Sequence, residues 1–315
     1  MADNFWTGKN VLVTGGTGFL GKHLVPMLQS NGAYVYVPRS KNFDLRKEER
    51  VDQLFQEYHP EIVIHMAVHG GGIGHMRKHP GSVFYDNIMM DTLIIEKSFR
   101  HDIEKFVGIG TVCSYPKFTS TPFKEENLWN GYPEETNAAY GLSKKMMLVQ
   151  TQAYREEYGF NGIHLLLVNM YGPYDDFDLE RSHVIPALIR KFTEAVENNK
   201  KEIEVWGTGK ASREFLYVED AAEGIILATE RYNKPYPVNI GTGFEIKIKD
   251  LVELIAELTR FDGEIRWDTS KPDGQPRRCL DVSRAKDEFG FEAKVDFRGG
   301  LERTVEWYVN YKMGK

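Results

Sequence analysis

Cysteine is scarce in this chain: there are two among 315 residues, and Cys113 and Cys279 form no CxxC pair. A disulfide framework and a thiolate zinc site are thereby excluded, and a reducing compartment, the cytoplasm, is expected. No run approaches the roughly 18 apolar residues that span a bilayer, and the opening Met1-Ala-Asp-Asn-Phe-Trp6 has neither a basic nor an apolar leader segment. A membrane partner is not expected. Positive charge is not in excess either: 40 Lys and Arg against 46 Asp and Glu give a formal net charge of -6, which argues against a nucleic-acid partner. Any anionic ligand must be met by local groups. Internal repeats and low-complexity linkers are absent.

What is present is a chain that is 41% hydrophobic and 27% charged, long enough to bury the cores of two lobes. Its most informative stretch runs from Asn10 to Lys22, where the apolar run Val11–Val13 feeds into glycines at 15, 18 and 21 and a helical pattern follows despite Pro26. A strand, tight turn and helix start of this kind aims backbone N–H groups at a pyrophosphate. Strand and helix patterns then alternate: strands at 34–37, 62–67, 106–110 and 163–170, helices at 51–58, 82–101 and from Tyr140. Such alternation predicts β-α-β units and a doubly wound parallel α/β sheet. Beyond residue 172 it loosens, and a smaller C-terminal α/β lobe is expected over 173–315, with a segment of about 214–241 returning to the first lobe. In that second lobe, 204–209 and 213–217 suggest two short strands about a glycine turn, and 248–258 is one more amphipathic helix.

The second strand ends in Pro38-Arg39-Ser40-Lys41, with no acid before Asp44. An acid there would meet a free ribose hydroxyl, whereas a 2′-phosphate needs a cation, so NADP(H) is expected, with Arg39 as its phosphate contact. Alternatively, Arg39 and Lys41 are solvated loop charges. Gly70 to Gly74 lies at the carboxyl end of the third strand, where a backbone can approach a ligand closely or simply form a flexible loop. The fourth strand ends in Thr111-Val-Cys-Ser-Tyr-Pro116, and Tyr140 and Lys144 follow, four apart on one helical face. Carbonyl reduction wants such a pair: a phenol that protonates the developing alkoxide and an ammonium that lowers the phenol's pKa from about 10 while holding the cofactor ribose.

Gly15-Gly-Thr-Gly-Phe-Leu-Gly21 with Tyr140 and Lys144 resembles the extended short-chain dehydrogenase/reductases that act on nucleotide sugars, whose core is a Rossmann fold. Further segments are similar to their GDP-L-fucose synthase branch: Gly70–Gly74 with Asn87, Gly110 to Pro116, Ser182 to Arg190, Trp206 to Gly209 with Arg213 to Leu216, and Lys271 to Gly274. The resemblance covers nearly the whole chain. It implies a bifunctional NADPH-dependent 3,5-epimerase and 4-reductase acting on a GDP-4-keto-6-deoxy sugar, in a homodimer. It implies a reductase triad of Thr111, Tyr140 and Lys144, with Cys113 and His183 as the base and acid of epimerisation. It also implies substrate contacts from Asn169, Arg190, Trp206, Arg213 and Lys271. The expected cofactor contacts are Gly15, Thr17, Gly18, Phe19, Leu20, Gly21, Arg39, Asp44, Leu45, Ala67, Lys144 and His183, and no metal site is expected. The sequence departs from the branch at Val112, in the TGGTGFLG loop and at Tyr174-Asp-Asp176, which leaves hexose or heptose open. Two other readings stand beside this one: a reductase or epimerase alone on another 4-keto nucleotide sugar, and an NADP-binding sensor without turnover.

Overall fold

The protein is described by a computed structural model covering residues 5–178, 181–271 and 274–314. In chain order the structure begins with β1 (Asn10–Thr14), α1 (Gly21–Ser30), β2 (Tyr34–Tyr36), α2 (Glu48–Tyr58), β3 (Ile62–His65), α3 (Ile73–Lys78), α4 (Pro80–Arg100), β4 (Lys105–Thr111), α5 (Ala138–Tyr158) and β5 (Gly162–Leu167). After these come β6 (Asn169–Tyr171), α6 (Val184–Glu197), β7 (Glu202–Trp206), β8 (Ser212–Tyr217), α7 (Val218–Arg231), β9 (Val238–Ile240), β10 (Glu245–Lys247), α8 (Ile248–Thr259), β11 (Glu264–Asp268), α9 (Ser283–Phe289) and α10 (Phe297–Met313). Among the described residues β2-β1-β3-β4-β5-β9 form a six-stranded, all-parallel sheet.

Apart from the edge strand β2, the parallel strands are buried on both faces, which is why they read as largely apolar runs. Val11, Val13, Ile62 and Ile64 turn to the face covered by α1 and α7, while Leu12, Val63 and Phe106 meet α2, α4 and α5 on the other. A separate core gathers α6, α8 and α10 around Ile189, Phe192, Ile255 and Leu301.

Three local expectations need correction. The strand over 163–170 is two strands: the Val168 N–H donates to the Ile240 carbonyl at 3.1 Å, and β6 then leaves the main sheet to pair with β8. β7 and β8 are not a hairpin, because β7 pairs in parallel with β11 and β8 pairs antiparallel with β10. Two helices follow α8. The glycines near the start of α10 hide it from a periodicity reading, yet a Cβ on Gly300 would lie 2.3 Å from the Tyr171 hydroxyl, so the glycine lets the helix pack onto β6. Asp296 caps α10 by accepting from the Gly299 N–H at 3.1 Å.

Candidate active site

The glycine turn after β1 is folded tightly enough to exclude side chains. Gly15 has φ +73°, and a Cβ there would lie 2.9 Å from the Ala67 backbone nitrogen; one on Gly21 would lie 2.3 Å from the Gly16 carbonyl oxygen. Thr17 and Gly18 stand exposed at the turn, Phe19 is half-buried, and Leu20 is buried as the N-cap of α1. The exposed turn thus stands at the carboxyl edge of the sheet ahead of the α1 N-terminus, the place where a dinucleotide pyrophosphate is held. Past β2, Arg39 is exposed, and it has no ion-pair partner among the described residues. Asp44 is engaged by Arg46 at 2.8 Å, whose hydrogen bonds hold its carboxyl down to about 2, and Leu45 is buried. The first acid after β2 is thus already neutralised, while a cation stands free, which fits a 2′-phosphate.

Thr111 is the last residue of β4, and a single 3-10 turn, Val112–Ser114, follows it. Thr111 Oγ1 accepts from the Cys113 N–H at 3.2 Å, which fixes the hydroxyl beside the thiol-bearing turn. The start of α5 reaches this turn because Gly141 lacks a side chain: a Cβ there would lie 2.3 Å from the Cys113 carbonyl oxygen. Tyr140 stands next to that glycine, with its phenol against the Thr111 side chain. Burial, reinforced by the neighbouring Cys113 and Asp91, pushes the Tyr140 phenol above its ordinary range, and Thr111 opposes this only in part.

Lys144, expected to depress the phenol, meets a carboxylate in the structure. The Lys144 ammonium is buried and paired with Asp91 of α4, at 3.0 and 3.3 Å to the two carboxylate oxygens. Asp91 also meets His65 Nε2 at 2.8 Å, and His65 Nδ1 meets Thr14 Oγ1 at 2.7 Å. Because Thr14 Oγ1 accepts from the Met66 and Ala67 N–H groups, its own hydroxyl proton is left for His65 Nδ1, and Nε2–H donates to Asp91. Burial works against the Asp91 carboxylate, but Lys144 and His65 outweigh it and hold it below the usual range. A buried polar chain thus runs from Lys144 to the glycine turn. Sequence reasoning missed Asp91 and His65; the signal was a carboxylate on the buried stripe of α4 and a histidine inside an apolar strand.

Cys113 is half-buried, and the Arg278 guanidinium lies 3.6 Å from its Sγ. Cys279, by contrast, is buried, and burial pushes its thiol up to about 12, an inert packing role. His183 is the N-cap of α6 and is exposed. On the loop before it, Asp175 Oδ2 and Ser182 Oγ are buried with no hydrogen-bond partner among the described residues, and burial raises the Asp175 carboxyl to about 7. The Gly72 N–H donates to the Arg181 carbonyl at 2.7 Å, so the Gly70–Gly74 segment, whose end forms α3, braces the loop that carries His183.

The expected substrate contacts divide. Trp206 is 64% exposed with the Lys271 ammonium 5.5 Å from its ring centre, and a Cβ on Gly274 would lie 3.3 Å from Arg213 Nη2. Trp206 with Lys271, and Arg213 with Gly274, are two pairs drawn together by the 271–274 segment. Pro272 and Asp273 of the KPDG motif lie outside the described residues. Asn169 begins β6 and donates to the Glu214 carbonyl at 3.4 Å. Arg190 is occupied elsewhere, bridging Glu194 at 2.8 Å and the Phe177 carbonyl at 2.9 Å.

Comparison with known proteins agrees with this geometry. Residues 11–241 match the NAD dependent epimerase/dehydratase family. GDP-L-fucose synthase 1 of Arabidopsis thaliana is 37% identical over 300 residues, 95% of this chain and 93% of that one. A GDP-6-OMe-4-keto-L-xylo-heptose reductase from C. jejuni superposes with TM-score 0.91 at 29% identity, covering 98% of this chain and 99% of that one. A GDP-L-fucose synthetase from Naegleria fowleri, solved with NADP bound, superposes with TM-score 0.88 at 27% identity, covering 99% and 98%. With three quarters of its length inside the family match and relatives aligned almost end to end, the chain belongs to the NAD dependent epimerase/dehydratase family, in its GDP-L-fucose synthase branch.

Proposed function

We propose that this protein is an NADPH-dependent 3,5-epimerase and 4-reductase of a GDP-4-keto-6-deoxy sugar. The observation that carries the reading is the junction of Thr111, Cys113 and Tyr140, where one hydroxyl holds the turn that bears the thiol and lies against the phenol. A C4 ketone acidifies the protons on C3 and C5. Cys113 removes one of them, the C–H electron pair moves into the C4 oxygen, and Tyr140 and Thr111 stabilise that enolate by hydrogen bonding. His183 supplies the proton on the opposite face, which inverts the centre. NADPH, when bound, supplies hydride to C4. Tyr140 gives its hydroxyl proton to the same C4 oxygen, so one oxyanion site serves both reactions. Lys144 and Asp91 position the phenol's helix face, and Trp206, Lys271 and Arg213 receive the nucleotide end.

The test is the product formed from GDP-4-keto-6-deoxy-D-mannose and NADPH in deuterated water, read by NMR. Label at C3 and C5 with an alcohol at C4 is the expected outcome. The likeness to a heptose reductase favours a second reading, reduction alone, and an unlabelled C4 alcohol would establish it. No NADPH oxidation with any keto-sugar nucleotide would leave the sensor reading.

Cofactor choice rests on Arg39. Arg39→Ala is expected to raise the KM for NADPH by about tenfold, consistent with loss of a charge-assisted phosphate contact of about 1.5–3 kcal/mol, while NADH kinetics hardly change. Equal losses with both cofactors would remove Arg39 from the phosphate site.

The functional unit is proposed to be a two-fold dimer in the cytoplasm. Among the described residues no helix is long and apolar enough to cross a membrane. α4 and α5 pack along one another and leave Phe84, Tyr85, Met146 and Val149 exposed, an apolar face suited to a self-complementary interface. Light scattering at micromolar concentration should give twice the chain mass; a monomer would contradict it.

A further inference from the structure

We infer that Arg278 is a positioning residue that holds Cys113 as a thiolate. The inference rests on the reading of Cys113 as the epimerisation base and explains how a cysteine performs that task. Arg278 is buried, 9% exposed, and among the described residues its guanidinium meets two acceptors. Nε and Nη2 donate to Gln275 Oε1 at 3.3 and 3.1 Å, and Nη1 faces Cys113 Sγ at 3.6 Å. No carboxylate pairs with it among the described residues. The neighbouring acids are committed: Glu245 binds Arg277, and Glu214 accepts from the backbone N–H groups of Leu280, Thr242 and Gly243. A buried guanidinium with a neutral amide on one side is costly unless an anion stands on the other. The group placed there is a thiol.

The backbone fixes this arrangement. The segment around Arg278 lies between β8 and the loop after Cys113: the Ser212 N–H donates to the Pro276 carbonyl, the Glu214 N–H to the Arg278 carbonyl, and the Phe123 N–H to the Cys279 carbonyl. Gln275 Nε2 donates to the Lys117 carbonyl at 2.8 Å, which turns its amide oxygen toward Arg278. The ionisable groups that the structure sets against Cys113 are Arg278 from this segment and Tyr140 from α5, and the phenol is uncharged. Among the described residues, the charged group in contact with the sulfur is a cation. In the resting protein the thiol proton leaves to solvent. During epimerisation the thiolate takes a proton from C3 or C5, an S–H bond forms and the C–H bond breaks, and its electron pair enters the enolate; the acid on the other face then returns a proton.

The experiment is alkylation of the full-length protein by iodoacetamide without substrate, followed by peptide mass spectrometry, which reads Cys113 separately from Cys279. Rates are compared across about pH 6 to 9.5 in the wild type, Arg278→Gln and Arg278→Lys. Arg278→Gln should slow Cys113 alkylation near neutral pH by about tenfold and move its rise to higher pH by about one unit. Arg278→Lys, which restores the charge, should recover most of the rate, and it keeps the test available if the glutamine variant does not fold. An unchanged pH profile in Arg278→Gln, or a loss that Arg278→Lys does not rescue, overturns the proposal. A normal profile with a raised KM for the GDP-sugar would instead make Arg278 a substrate contact and also overturns it. Since no substrate is present, the result does not depend on whether Cys113 is the epimerisation base, which isotope labelling of the Cys113→Ser variant decides separately.

Discussion

Tyr140→Phe is expected to lower reduction by on the order of 10²–10⁴, the range for losing a general acid. The expectation follows from the state of the phenol. Burial raises it above its ordinary range, with Thr111 opposing this only in part, so at neutral pH it carries its proton. Phenylalanine keeps the ring and its packing beside Gly141 and removes only the donor. Epimerisation should fall as well, by about 10²–10³, because the enolate at C4 loses one of its two stabilising donors. The measurement is single-turnover oxidation of NADPH with saturating keto-sugar, beside label exchange in deuterated water. A loss of reduction below about tenfold, with unchanged thermal stability, would mean that the C4 oxygen is protonated by another group and that Tyr140 is a packing residue of α5.

Much of the six-stranded sheet and its helices was legible because the parallel strands are largely apolar runs and the helices carry apolar stripes. Tyr140 and Lys144 were legible for the same reason, since positions four apart share a helical face whatever the rest of the chain does. The second lobe was less so. β7 finds its partner in β11, and β8 finds β6 and β10; nothing in the local pattern of 204–217 distinguishes this from a hairpin. α10 was obscured because glycine is read as a breaker, whereas Gly300 is there for close approach to Tyr171. In the site, what escaped was each residue's long-range partner. Lys144 pairs with Asp91 across 53 positions and Cys113 meets Arg278 across 165, and these contacts decide whether an ammonium faces a phenol or a carboxylate and whether a thiol faces a neutral group or a cation.

Cys113→Ser is expected to separate the two activities. The exchange keeps the size and shape of a side chain whose carbonyl is packed under Gly141, and it leaves Thr111 and Tyr140 in place. It removes a group that ionises in unperturbed form at about 8.5 and substitutes a hydroxyl that does not ionise near working pH, so proton abstraction from C3 and C5 should fail, with a loss of at least about 10². Reduction needs only the phenol and the bound cofactor, so the variant should still convert the unepimerised ketone to an alcohol. The product of the variant with NADPH in deuterated water is then read for label at C3 and C5 and for configuration at C4. Unlabelled carbons beside a reduced C4 assign abstraction to the cysteine. If label enters both carbons at the wild-type rate, Cys113 is a small buried side chain beside the triad, and the base must be sought elsewhere; among the groups described, His183 at the start of α6 is then the one with a titratable nitrogen and the resemblance on its side.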